Sequence, residues 1–148
     1  MAISSVISFI KSTSNLEEFV AGESGILPGH LITMSEWKCY RNTSNEEDIT
    51  AFVAIENFHA GKEFVDPYEM GETVYCRRLR TGDVVYLRFG SMSQQEVEVG
   101  EPVGLVSGAV MPGNISAGTW HHHIGISLDY CFCGPGQELP LLVQIKFL

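Results

Sequence analysis

The chain has 148 residues, of which 45% are apolar and 18% charged, and its 18 acidic side chains outnumber its 9 Lys and Arg to leave a net charge of −9. That length suits one domain with one core, and an acidic chain is poorly equipped to neutralise phosphates, which excludes wrapping nucleic acid as its task. No apolar run approaches the roughly 20 residues of a bilayer-spanning helix, and a charged share below the usual quarter fits a chain that covers part of its surface with a partner.

Residues 1–22 stand apart. Ser, Thr and Asn alternate there with Ile7, Phe9, Ile10, Leu16, Phe19 and Val20, and no Gly or Pro occurs before Gly22. This spacing follows neither the helical nor the strand period. It predicts an N-terminal arm that orders against a partner, by adding to it as a strand or as a short helix. Lys11 follows the first apolar run rather than preceding it, the reverse of a secretory signal.

From residue 23 to 148 the pattern predicts an all-β fold, a single small β-barrel or barrel-like sandwich. Strand-length apolar runs rich in β-branched and aromatic residues come in order at 30–34, 51–55, 73–76, 84–89, 124–128 and 141–147. Gly and Pro punctuate them at short intervals, as in barrels and sandwiches. Three strands start alike, with Gly71-Glu72, Gly82-Asp83 and Gly100-Glu101 each followed within two residues by a Val. Glycine supplies a positive φ without steric cost, and the acid that follows can bond turn amides. Polar insertions are expected at 44–48 and 91–99, and a loop at 111–123.

Chemistry is sparse. No nucleophile elbow, phosphate loop or dinucleotide fingerprint occurs. His121-His122-His123 is the one cluster that could ligate a metal, with Cys131 and Cys133 nearby. Adjacent side chains of a strand diverge, so at most His121 and His123 converge, and the expectation is no metal, no cofactor and no catalytic residue. Glu17-Glu18 and Glu46-Glu47 diverge for the same reason. Arg77-Arg78-Leu79-Arg80 reads as a solvated strand face, and Cys39, Cys76, Cys131 and Cys133 as reduced thiols. Trp37, Tyr40, Phe52, Phe58, Tyr68, Tyr75, Tyr86 and Phe89 read mostly as core or strand-pair aromatics, with no binding residue singled out.

In the middle of the chain Ala51-Phe-Val-Ala-Ile-Glu-Asn57, Gly61-Lys62, Val65-Asp-Pro-Tyr68, Gly71-Glu-Thr-Val74 and Arg80-Thr-Gly-Asp83 follow one another. This block resembles the capsid cement, or head decoration, proteins of tailed bacteriophages. Asp66-Pro-Tyr68 has one residue fewer between Asp and Tyr than the pattern of those proteins. Leu27-Pro-Gly-His-Leu31, Val99-Gly-Glu-Pro-Val103, Ile124-Gly-Ile-Ser-Leu128 and Leu142-Val-Gln-Ile-Lys146 resemble flanking pieces of the same family, so the likeness runs over residues 21–148. The resemblance implies a non-enzymatic virion protein on the capsid exterior, made in the host cytoplasm. Its partner would be the major capsid protein, and its assembly a homotrimer. Two alternatives are a head-fibre or tail module that binds host glycans, and a small metal-dependent enzyme using the His and Cys residues.

Overall fold

Phe52–Ala54 is three residues long and buried throughout, and its two faces fill two different cores. The computed structural model describes residues 16–42, 52–89, 95–106, 109–112, 125–133 and 142–147. Their strands are β1 (Leu16–Ala21), β2 (Leu31–Ser35), β3 (Lys38–Arg41), β4 (Phe52–Ala54), β5 (Thr73–Arg78), β6 (Val84–Arg88), β7 (Gln95–Val97), β8 (Pro102–Val106), β9 (Ala109–Pro112), β10 (Gly125–Ser127), β11 (Cys131–Cys133) and β12 (Leu142–Phe147). The fold is all-β. β1-β3-β2-β4-β5 close into a barrel, β6-β12-β10-β8-β9 form a second sheet, and β7 pairs with β11. The edge strands of the second sheet, β6 and β9, approach each other, so this sheet curls.

Alternation assigns the side chains. On β4, Phe52 and Ala54 point into the barrel beside Ile26, Ile32, Cys39, Tyr68, Val74 and Cys76. Val53 and its successor Ile55 point out, where with Leu31 they pack on Leu79, Val85, Leu87, Phe89, Val103 and Ile145. One short strand is therefore common to both cores. Tyr68 plugs the barrel: its hydroxyl donates to the Ile55 carbonyl (2.7 Å) and accepts from the Tyr75 amide (3.4 Å). Burial raises its pKa, and burial likewise lifts the Cys39 thiol to about 11 and the Cys76 thiol further. Both cysteines are free, as expected.

Leu16–Ala21, read from sequence as part of the arm, is instead the strand that closes the barrel. It runs antiparallel to β5 from Leu16↔Arg77 to Val20↔Thr73 and parallel to β3 at Val20↔Lys38 and Ala21↔Cys39. Residues 1–15, the remainder of the expected arm, lie outside the described residues. The polar stretch 91–99, expected as an insertion, contributes β7, and the expected loop 111–123 begins inside β9.

The three Gly-acid turns are one device used three times. The amides of Glu72, Asp83 and Glu101 donate to the carbonyls three residues back, those of Glu69, Arg80 and Glu98. Gly71, Gly82 and Gly100 sit between at φ 88, 91 and 85, the third position of a type II turn. Each glycine amide then donates to the end of a neighbouring strand, at Ala21, Phe147 and Ser127, and each of those residues donates back to the acid's carbonyl. In two turns the acid also caps the opposite amide, Asp83 that of Arg80 (2.8 Å) and Glu101 that of Glu98 (2.9 Å). Glu72 pairs with Lys62 instead (3.3 Å).

The seam between barrel and second sheet is polar at one point. Gly29 donates to the Ala54 carbonyl of the barrel and accepts from the Arg88 amide of the second sheet. A Cβ there would lie 3.0 Å from Leu142 Cδ2 and 3.3 Å from the Arg88 nitrogen, a tight fit between the two sheets, and the φ of 89 favours glycine in its own right. The buried Arg88 guanidinium donates to the Pro28 carbonyl (2.8 Å) and to the Phe64 carbonyl, and lies 5.8 Å from the Phe64 ring centre. Burial lowers its pKa to about 10, against the opposing charge of Glu56. His30, also buried, accepts the Leu27 amide at Nδ1 (2.9 Å). Burial first, then the charges of Arg88 and Arg41, hold its pKa near 4, with Glu23 opposing.

Three outcomes are expected. Nothing lies within 4 Å of a Cβ built on Gly82, so Gly82→Ala loses only backbone comfort, about 1–2 kcal/mol in denaturant unfolding. At Gly125 a Cβ would stand 2.5 Å from Ile145 Cγ2 and 2.6 Å from the Lys146 carbonyl oxygen, so Gly125→Ala costs about 3 kcal/mol or more. The third outcome concerns acid. His30 binds a proton more readily unfolded (6.5) than folded (about 4), so its contribution is whole above pH 6.5 and falls away between 6.5 and 4. Unfolding followed against pH should show a loss of about 3 kcal/mol over that window, and His30→Asn, which keeps an acceptor but does not titrate, should flatten it.

Candidate binding surface

Only two residues, Glu36 and Trp37, join β2 to β3, whose register runs from Ser35↔Lys38 at the tip to Ile32↔Arg41. A two-residue hairpin loop matching the twist of its strands needs positive φ at both positions, normally from Asn-Gly. Here φ is 50 at Glu36 and 68 at Trp37, the positive-φ residues other than glycine among those described. Each is disfavoured by about 1–2 kcal/mol in an L-residue. Trp37 is 91% exposed. The hairpin beneath it is firm, because β2 is bonded on both sides, to β3 and β4, and β3 is bonded also to β1. Register sets exposed Val20 beside Lys38, and exposed Met34 stands three residues before Trp37. Glu18, Glu36 and Lys38 supply exposed charge around them.

A second group of rings surrounds the 3-10 turn Phe58–Ala60. Asn57 caps it through the Ala60 amide, and Gly61 ends it at φ 67. Phe58 (43% exposed) lies 4.2 Å from His59 and 5.5 Å from Tyr75, centre to centre, with His59 and Tyr75 5.0 Å apart. A third area is acidic: a shallow hollow lined by Glu96, Glu98, Val99, Gly100 and Glu101, beside Tyr130, whose hydroxyl donates to Glu96 (3.0 Å).

Arg77 and Arg78 are adjacent on β5 and so face opposite ways. Arg78 lies 6.0 Å over the Phe52 ring, and Arg80 belongs to the turn closed by Asp83, so the run makes no basic stripe. Glu17 and Glu18 diverge as expected, Glu17 half-buried opposite Cys76 and Glu18 exposed. Burial tends to raise the Glu23 pKa, but hydrogen bonds from the Arg41 side chain and amide, with that residue's charge, hold it low overall. Cys131 and Cys133 open and close β11. His121, His122, His123, Glu46 and Glu47 lie outside the described residues. Among the described residues no group of three His, Cys, Asp or Glu is placed to hold a metal. Phe52, Tyr68 and Phe89 are core, and Tyr40, Tyr75 and Tyr86 half-buried, as the aromatic pattern suggested. Trp37 and Phe58 are the exceptions.

No family model matches the chain, and no curated protein matches it.

Proposed function

We propose that this protein is an auxiliary virion component that binds the outer surface of a tailed-phage capsid and stabilises the lattice of the major capsid protein. One observation supports adhesion over catalysis: the largest apolar side chain among the described residues is held outside, at Trp37, on a frame in which buried His30 and Tyr68 are committed to backbone bonds. His30 near 4 and Cys39 near 11 both titrate far from neutrality, away from where acid–base catalysts operate. The choice of partner comes from the resemblance over residues 21–148. Much of that block serves the frame, in the Tyr68 plug, the Gly-acid turns and the Pro28–Leu31 seam.

Cement acts by mass action. A protein that binds only the expanded shell stabilises it by RT ln(1 + [L]/Kd) at each site, about 2.7 kcal/mol at a hundredfold excess over Kd. Assembly as a homotrimer, which the resemblance implies, would multiply the contacts each copy brings to one position.

A second reading, a head-fibre or tail module that binds host glycans, draws on the exposed rings of Phe58 and His59 against Tyr75. Mixing the purified protein with expanded, undecorated heads separates the two. The cement reading expects saturable attachment, with copy number scaling with the major capsid protein and greater resistance of the heads to heat. Absence from the shell together with retention on host surface glycans would favour the second reading.

A further inference from the structure

The Glu36-Trp37 turn is costly twice over, and among the described residues no packing contact of the indole repays it. Asn-Gly would make the same turn without strain, and an indole that is 91% exposed adds little to the packing of its own fold. Backbone strain of this kind persists where surrounding structure enforces it, and it concentrates at ligand clamps and binding sites. The surrounding structure here is the closed barrel, which bonds both strands of the hairpin to further strands. The indole is thus presented on a fixed backbone, and docking it orders little that was free beforehand.

The chemistry of the tip narrows the occupant. A net charge of −9, with Glu18 and Glu36 exposed as well as Lys38 on these strands and their turn, disfavours phosphate backbones and anionic bilayers. A lone ring on a convex tip fits a concavity, and tryptophan dominates protein contacts when it fills a desolvated pocket. Resting on the functional reading above, we infer that the Ser35–Lys38 tip is the anchor that seats the protein on the shell. Trp37 enters an apolar pocket of the major capsid protein, with an acceptor there for its indole N–H. The strained turn is retained for that contact at a cost in stability.

The test is the Glu36→Asn/Trp37→Gly double variant, compared with wild type in thermal unfolding and in binding to expanded, undecorated heads. The expected result is a higher Tm together with a loss of head affinity of about thirtyfold or more. Trp37→Phe, which keeps a ring, should fall between the two. A double variant that binds heads as wild type does would overturn the anchor while leaving the cement reading standing. One that is less stable than wild type would overturn the claim of a retained strain. Wild-type protein that fails to bind heads would overturn the functional reading, and the assignment of the partner with it.

Discussion

The fold depends on one close approach, where Gly29 is hydrogen-bonded to the barrel through Ala54 and to the second sheet through Arg88. Because no side chain stands between them, Leu31, Val53 and Ile55 on the outside of the barrel reach Val85, Leu87 and Ile145 across the seam. Arg88 then closes the gap, its guanidinium satisfied by the carbonyls of Pro28 and Phe64 from two separate loops. A buried guanidinium left without those carbonyls would be strongly destabilising. The seam therefore specifies one relative placement of the two sheets.

From that placement follows the contrast between interior and surface. The acidity of the chain is partly architectural: Asp66, Asp83 and Glu101 accept amides of their own turns, and Glu23 and Glu72 hold Arg41 and Lys62. Buried His30, Tyr68 and Arg88 are fixed by the same frame. Beside exposed charge, the frame leaves large apolar side chains outward on turns, with Trp37 the extreme case and Met70 (67% exposed) another.

Much of this architecture was legible in the sequence. The runs that became β2, β4, β5, β6, β10 and β12 are rich in β-branched and aromatic residues, and the Gly-acid turns announce themselves by residue type. β1 was hidden because its barrel-facing side carries Glu17 as well as Phe19 and Ala21, which spoils the apolar alternation. β3 was hidden because the turn before it lacks Gly, Asn, Asp and Pro. That turn is also where the candidate contact lies, so the residue types that concealed it are the ones that make it unusual. The second core was illegible for another reason: alternation on β4 shows two faces buried without showing against what.

In the proposed role, a rigid β frame carries a strained, outward tryptophan as its point of attachment to a phage shell. A cryo-EM reconstruction of heads bearing the protein tests this most directly. It should show the barrel on the shell exterior with the Ser35–Lys38 tip buried against the major capsid protein. A tip facing solvent on a decorated head, or a shell with no copy of the protein upon it, would contradict the account.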